Sequence, residues 1–236
     1  PISESLLAAA LKRLPDCTFI QGYGMTETTA LTLSVPWKYH FGGASHVSKR
    51  TATGRAAYGV DVRIVDKHRN EVPRGVAGEI AVRGPQVMLG YWNKPEQTAE
   101  VLEDGWMYSG DAGVMDEEGF VYLLDRMKDM IVTGGENVYS REVENAVLSH
   151  PAVRDCAVIA VPSDEWGEAV HAVLVFKDGM SASDDDILAH CRSLIAGYKC
   201  PRSIEVRQEL PLSAAGKILK AELRRGYWTA KNRQIN

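Results

Sequence analysis

The sequence lacks a run of apolar residues long enough to cross a membrane. One of its longest apolar runs, Cys156 to Val161, has the length of a buried strand. Positive charge is not in excess either, because the formal net charge is -4. We therefore expect neither nucleic acid nor an anionic membrane surface as a partner. No secretory signal is visible at the start, so we expect a cytoplasmic protein.

Cysteine is scarce and is not arranged for metal or disulfide chemistry. The 236 residues include four cysteines, and none of them forms a C-x-x-C pair. This spacing indicates neither a zinc site nor a disulfide framework. We expect four free thiols: Cys17, Cys156, Cys191 and Cys200.

The stretch from 125 to 144 lacks both common phosphate-loop signatures, G-x-G-x-x-G and G-x-x-x-x-G-K-[ST]. Its alternating run through Val132 predicts a short strand, which Gly134-Gly135 breaks. Ser140 is a candidate cap for a helix that follows. These residues alone leave two alternatives, a plain chain reversal or a close approach of the backbone to a ligand.

The rest of the pattern predicts mixed α/β and α+β structure. A helix with an apolar face and a short strand at Cys17 to Ile20 open the chain, as an α/β segment at about 1–45. Period-two alternation predicts a β-rich segment at about 46–125, a small barrel or a packed pair of sheets. From about Lys128 a compact α+β pattern follows, with a helix capped by Ser183 and Asp186. Its strands are predicted at Cys156–Val161, Ala169–Phe176 and Ser203–Arg207.

Polar residues follow the first predicted strand and an aromatic stretch farther along. Gly22, Tyr23 and Gly24 precede Thr26 and Glu27, and such clusters are where open α/β sheets bind ligands. An ordinary strand-to-loop turn is the alternative. In the same way, Asp111 after a glycine is either a turn former or a ligand for hydroxyl groups.

Taken together, five segments resemble the adenylate-forming superfamily, which includes acyl-CoA synthetases, luciferases and peptide-synthetase adenylation domains. Each alone is a weak signal, but their order and spacing agree over nearly the whole chain. The GGENVYSREVE stretch is most similar to fatty-acyl-CoA synthetases and their relatives. The segments are QGYGMTET (21–28), GEIAVRGPQVMLGYWNKPEQT (78–98), GWMYSGD (105–111), DRMKDMIVTGGENVYSREVE (125–144) and PLSAAGK (211–217).

The resemblance implies a domain organisation. Residues 1–127 would be the tail of a large domain, and residues 128–236 a small mobile domain. The family's phosphate loop, which ends in Pro-Lys-Gly, is not found upstream of the first motif. We therefore expect a C-terminal fragment that lacks the N-terminal part of its own chain and is inactive by itself.

The resemblance also implies an activity, that of an acyl-CoA synthetase. ATP would adenylate a carboxylic acid, by similarity a fatty acid, and coenzyme A would then take the acyl group as a thioester. The expected ligands are ATP or AMP, Mg²⁺ and CoA. Two alternatives stay open: loading of a carrier protein, and a non-catalytic binding module.

Matching the motifs residue by residue implies a nucleotide site. Glu27 would hold Mg²⁺, a hard cation that prefers oxygen ligands, and Thr26 would contact the α-phosphate. Tyr23 would lie against the adenine, and Asp111 would accept hydrogen bonds from both ribose hydroxyls. The implied nucleotide-binding set is Gly22, Tyr23, Gly24, Met25, Thr26, Asp111 and Arg126.

The C-terminal motifs imply step-specific roles. Lys217 resembles the family's invading lysine, which bridges carboxylate and α-phosphate, whereas an exposed lysine is ordinarily just solvated. Lys128 resembles the hinge residue between domains. The CoA tunnel would be lined by Gly134, Gly135 and Glu136.

Alternatives remain for the other basic residues. Arg126 could form a salt bridge with Asp125 or Asp129 instead of contacting the nucleotide. Four more could meet the phosphates of CoA, although a solvated helix face is the favoured interpretation; they are Lys220, Arg224, Arg225 and Lys231.

Overall fold

The computed structural model of the chain describes residues 4–29, 31–40, 49–214 and 216–228. They fall into two compact units, Pro1–Leu124 and Asp125–Asn236. Parts of the predicted segment at 1–45 and of the PLSAAGK loop, as well as Lys231, lie outside the described residues. Within those residues, every helix is too short or too polar to cross a membrane.

The first unit is built mainly from antiparallel strands. A three-stranded sheet has the order β1-β2-β3, and a five-stranded sheet has the order β4-β5-β7-β6, with β8 also paired to β7. The elements are α1 (Glu4–Arg13), β1 (Gln21–Tyr23), β2 (Leu33–Val35), β3 (Arg55–Ala56), β4 (Asp61–Val65), β5 (Ala77–Arg83), α2 (Pro95–Val101), β6 (Leu102–Glu103), β7 (Trp106–Met115) and β8 (Val121–Arg126), with short 3-10 helices at Thr26–Thr28 and Trp37–Tyr39. The last two residues of β8 belong to the second unit.

A shared core joins the two sheets of this unit. Leu33 of β2 packs with Ile64 and Ile80 of the larger sheet, and all three are buried. Two strands of the smaller sheet, β1 and β2, precede the predicted β-rich segment at about 46–125, so that segment does not form the packed pair by itself. The turn after β4 is fixed by Asp66, whose Oδ1 accepts the backbone N–H groups of His68 and Asn70.

The second unit has one five-stranded sheet covered by helices. The strand order is β10-β9-β12-β11, and β13 pairs with β12 in parallel. The elements are a 3-10 helix (Met127–Asp129), β9 (Ile131–Thr133), β10 (Glu136–Val138), α3 (Ser140–Leu148), β11 (Val153–Ser163), β12 (Gly167–Phe176), α4 (Asp184–Arg192), a 3-10 helix (Gly197–Lys199), β13 (Ser203–Val206) and α5 (Lys220–Trp228).

The core of this unit forms on both faces of the β11–β12 hairpin. One cluster includes Val158 and Leu174 with Val143 of α3 and Ile187 of α4. The second cluster, on the other face, includes Leu223 of α5. The capping box at the start of α4 is confirmed, because the Ser183 Oγ and the Asp186 N–H are hydrogen-bonded.

Two local predictions are wrong. The first strand is not Cys17–Ile20 but Gln21–Tyr23, because pairing with β2 and not apolarity decides which residues extend. Ser140 does not cap α3, since its Oγ donates to Asp125 Oδ2 at 2.6 Å. In addition, the structure contains strand β10 between the glycine turn and the helix, an element for which no prediction was made.

Candidate functional site

Tyr23 and Asp111 are brought together from two motifs that lie 88 residues apart. Tyr23 ends β1, and its hydroxyl donates to Asp111 Oδ2 at 2.6 Å. Asp111 is only 3% exposed and lies inside β7, so its interpretation as a turn former is wrong. This bond fixes the direction of the Asp111 carboxylate.

A second carboxylate, which the sequence reasoning did not single out, lies beside Asp111. Glu79 Oε1 accepts the N–H of Gly110 at 2.7 Å. Burial raises the pKa of Glu79, the charge of Asp111 acts in the same direction, and the bond from Gly110 opposes it. Gly110 has φ +68°, which favours glycine and orients its N–H toward β5.

The polar segment after β1 forms a tight 3-10 turn. Met25 N–H donates to Thr28 Oγ1 at 3.1 Å, and Thr28 is buried. This arrangement leaves Thr26 exposed and Glu27 half-buried at the surface of the unit. The turn ends at Thr29, whose φ of +49° is uncommon for a β-branched residue.

Gly22 lies in β1 between the turn and a cavity. A Cβ atom at Gly22 would lie 2.9 Å from Leu31 Cδ1. The cavity has a volume of about 280 Å³ and a mainly apolar lining. It is lined by Leu7, Phe19, Ile20, Gln21, Gly22, Tyr23 and Thr53.

Gly24 directly follows β1 and is half-buried, and the remaining predicted residues belong to the second unit. Arg126 is exposed, and its backbone N–H donates to Asp125 Oδ1 at 2.8 Å. The side chain of Asp129 pairs with Arg224 at 2.8 Å. Lys128 is exposed within the 3-10 helix Met127–Asp129, and its carbonyl oxygen accepts from Arg224 Nη1 at 2.7 Å.

The Gly-Gly stretch forms the turn of the β9–β10 hairpin. Gly134 and Gly135 have φ values of +59° and +86°, so the chain reversal requires glycine at both positions. A Cβ at Gly134 would lie 2.9 Å from Trp166 Cε3. Glu136 opens β10 and is exposed. The turn is thus a chain reversal, and an approach of its backbone to a ligand remains a prediction.

Lys217 lies on a small loop closed by its own backbone. Its N–H donates to Ser213 Oγ at 3.1 Å, and its carbonyl oxygen accepts from the Ser213 N–H at 2.8 Å. Gly216 has φ +74°. The Lys217 side chain is exposed, so this hydrogen-bonded loop places a cation at the surface.

The interpretation of α5 as a solvated basic face is wrong for two residues. Lys220 Nζ contacts Ser140 Oγ at 2.6 Å and pairs with Glu144 at 2.6 Å. Arg224 is 8% exposed. Both cations neutralise carboxylates inside the second unit and are not available for CoA phosphates.

The donor set suits Mg²⁺ carried on a phosphate ligand better than a metal held by protein alone. No group of three or more His, Cys, Asp or Glu side chains in the described ranges could hold a metal ion. Mg²⁺ commonly takes one or two carboxylates and completes its shell with phosphate oxygens and water. Glu27, half-buried beside Thr26, fits such a partial site.

Comparison with known proteins identifies both units. A family model described as AMP-binding enzyme matches residues 1–92, and one described as AMP-binding enzyme C-terminal domain matches residues 142–217. Feruloyl-CoA synthase from Amycolatopsis sp is 44% identical over 228 residues, covering 96% of this chain and 45% of the relative. Fatty acid–[acyl-carrier-protein] ligase ScoC from Streptomyces coeruleorubidus is 40% identical, covering 100% of this chain and 45% of the relative. Long-chain-fatty-acid–CoA ligase from Escherichia coli O6:H1 is 42% identical, covering 94% and 38%.

Solved structures agree with these relatives. Amide bond synthetase McbA from Marinactinospora thermotolerans matches with a TM-score of 0.82 and 38% identity, over 94% of this chain and 45% of that one. O-succinylbenzoate CoA synthetase from Bacillus subtilis, in complex with ATP and magnesium ion, matches with a TM-score of 0.83 and 33% identity, over 94% and 44%. The chain spans less than half the length of the relatives it matches. The two matched families and these likenesses place the chain in the adenylate-forming superfamily of AMP-binding enzymes.

Proposed function

We propose that the protein is an AMP-forming acid–thiol ligase, which adenylates a carboxylic acid with ATP and transfers the acyl group to coenzyme A. The hydrogen bond between Tyr23 and Asp111 carries this proposal. It joins two motifs of the first unit, and Tyr23 directly precedes the turn that holds Thr26 and Glu27. That arrangement suits the sugar and phosphates of a nucleotide.

The first unit would bind and orient ATP. Asp111 would accept from the ribose hydroxyls through a carboxylate that Tyr23 holds in place, while the Tyr23 ring lies against the adenine. Gly22, Gly24 and Met25 would shape the backbone beside the nucleotide, and Thr26 would contact the α-phosphate. Mg²⁺, held by Glu27, would neutralise phosphate charge.

The second unit would serve the two chemical steps. Lys217 would stabilise the charge that develops where the carboxylate meets the α-phosphate, and Arg126 would add donors to the nucleotide. The backbone at Gly134, Gly135 and Glu136 would line the path of the CoA thiol. A pivot at Lys128 would replace the Lys217 loop at the active site by the backbone of 134–136, so residues 128–236 would act as a mobile domain.

A fatty acid is the proposed acid. Two of the relatives named above are fatty-acid ligases, and the cavity beside Tyr23 is mainly apolar. An aromatic acid is the second candidate, because feruloyl-CoA synthase is also similar. Competition between a saturated fatty acid and ferulic acid in one assay distinguishes them.

The acceptor has a second candidate as well. The ScoC relative is named for a carrier protein and not for CoA. Release of AMP that requires free CoA supports the ligase proposed here, whereas release that requires a carrier protein supports the alternative.

The test uses the full-length protein with acid, ATP and Mg²⁺. We expect acid-dependent release of pyrophosphate, which Asp111→Asn reduces strongly and Asp61→Asn, an exposed carboxylate in β4, does not. Absence of acid-dependent pyrophosphate release, together with failure to bind ATP by calorimetry, would instead support a non-catalytic binding module.

A further inference from the structure

The last part of the 78–98 segment, from Gly90 to Thr98, has no role in the function proposed above, yet it contains a tyrosine that contacts the candidate metal ligand. Tyr91 Oη donates to Glu27 Oε1 at 3.0 Å, across 64 residues of sequence. The tyrosine hydroxyl is the donor in this bond, and the carboxylate oxygen is the acceptor.

The loop that carries Tyr91 holds the polar turn at two further points. Met88 N–H donates to the carbonyl oxygen of Glu27 at 2.8 Å. Thr29 Oγ1 donates to the carbonyl oxygen of Gln86 at 2.8 Å. Since the left-handed backbone of Thr29 is unfavourable by itself, surrounding contacts must hold it. Residues 86–91 supply those contacts.

Tyr91 is itself fixed in position by Thr98. The Tyr91 N–H donates to Thr98 Oγ1 at 2.9 Å, and that hydroxyl donates to the carbonyl oxygen of Lys94 at 2.8 Å. A Cβ at Gly90, whose φ is +151°, would lie 2.8 Å from Thr98 Cγ2. Glycine at this position thus permits the close approach of the backbone to Thr98.

We infer that Tyr91 is a positioning residue for Glu27. The Tyr91 hydroxyl orients the Glu27 carboxylate toward a Mg²⁺ ion carried by the substrate phosphates. A carboxylate has two oxygens and about four lone-pair sites, so one bond from Tyr91 leaves capacity for a cation. The inference rests on the proposed function, since that function places Mg²⁺ at Glu27. It gives the segment from Gly90 to Thr98 a specific role, which is to hold Tyr91 in position.

The test compares Tyr91→Phe in the full-length protein with Tyr122→Phe. Tyr122 is a matched control, because its hydroxyl also bonds a carboxylate of the first unit, Asp116 Oδ2 at 3.2 Å. ATP affinity is measured by calorimetry with and without Mg²⁺, and Mn²⁺ binding in the presence of ATP is measured by electron paramagnetic resonance. We expect Tyr91→Phe to weaken ATP binding about threefold to tenfold with Mg²⁺ and little without it, the loss of about one hydrogen bond. Mn²⁺ affinity should fall in parallel, and Tyr122→Phe should match the wild type.

A second variant keeps the inference testable if Tyr91→Phe folds poorly. Thr98→Val removes the hydroxyl that holds Tyr91, and we expect a smaller loss in the same direction. Equal loss with and without Mg²⁺, or wild-type Mn²⁺ affinity in both variants, overturns the role of Tyr91. A wild-type protein that binds no ATP at all overturns the proposed function, and the inference with it.

Discussion

Arg224 ties the last helix of the second unit to the segment where that unit begins. Its guanidinium donates to the carbonyl oxygen of Lys128 at 2.7 Å and to Asp129 Oδ1 at 2.8 Å. The Arg224 and Asp129 side chains are only 10% and 13% exposed. The segment predicted to act as a hinge is therefore anchored to the helix that follows the Lys217 loop.

Loss of this buried pair should destabilise the second unit. Arg224→Met leaves the Asp129 charge buried without its partner, so we expect the free energy of unfolding to fall by about 3 kcal/mol. Urea denaturation measures the change, and adding Asp129→Asn should recover part of it. Arg154→Met is the control, because the Arg154–Asp155 pair is exposed and should matter little. Equal effects of Arg224→Met and Arg154→Met would contradict the prediction.

Proline at Lys128 should separate the two half-reactions of the full-length enzyme. Proline fixes φ at about -65° and removes the backbone N–H, but it keeps the carbonyl oxygen that Arg224 contacts. We expect Lys128→Pro to retain adenylation and lose thioester formation, and Lys128→Ala to be nearly neutral. Pyrophosphate exchange and thioester formation are measured separately. Parallel losses in the two assays would place the pivot elsewhere.

Lys217→Ala should impair only the first half-reaction. Its charge matters where two anions approach, and not when CoA attacks a finished adenylate. We expect adenylation to fall about a hundredfold, a typical loss for one preorganised charge stabiliser. Thioester formation from supplied acyl-adenylate should change little, as should both steps in Lys67→Ala, an exposed lysine of the first unit. A similar loss in both steps would show that Lys217 is not specific to adenylation.

Thiol reagents should distinguish one cysteine from the other three. Cys17 is exposed, whereas Cys156, Cys191 and Cys200 are buried. Burial raises the pKa of Cys191 to about 11 and also raises the pKa of Cys156 and Cys200. We expect a disulfide reagent to modify one thiol in the folded chain and four in urea, and Cys17→Ser to abolish the folded-state reaction. Rapid modification of more than one thiol without denaturant would contradict this burial.

Lowering the pH should destabilise the second unit through protonation of His171. This side chain is 5% exposed, and its two ring nitrogens contact Ser203 Oγ at 2.7 Å and Tyr227 Oη at 2.9 Å. Burial lowers the pKa of His171, against the charge of Glu205. The unfolded chain therefore binds a proton that the folded chain does not, and stability falls as the pH drops below about 6.5.

The measurement is urea denaturation at pH 7.5 and 5.5. We expect the wild type to lose about 1 kcal/mol more than His171→Gln over this interval. His40, whose pKa burial also lowers, is present in both proteins, so their difference isolates His171. Identical pH dependence would show that His171 accepts its proton equally well in the folded state.

Local signals in the sequence predicted much of the fold. Alternation indicated β4 and β5, and the Ser183–Asp186 spacing predicted the start of α4, because each feature depends on neighbours along the chain. The first strand was placed too early at Cys17–Ile20, since its extent depends on pairing with β2. Such pairing is a tertiary property that a short apolar run does not encode.

The candidate site also contains residues that the sequence could predict and others that it could not. Tyr23 and Asp111 could be singled out because each lies in a recognisable motif. The contacts of Glu79, Tyr91 and Arg224 could not be predicted, although the first two lie in a motif, because their partners Gly110, Glu27 and Lys128 lie 31, 64 and 96 residues away. Arg224 was also misread, since a basic residue on an amphipathic helix ordinarily faces water. The roles assigned to the site residues remain predictions for the experiments above.

The parallel pairing of β12 with β13 has a consequence for the order of folding. The β11–β12 hairpin joins neighbouring stretches of chain and can form early, whereas β13 reaches its place only after the crossover through α4. Non-local pairings of this kind are slow to form. We therefore expect β13 to join the sheet after the β11–β12 hairpin has formed during refolding.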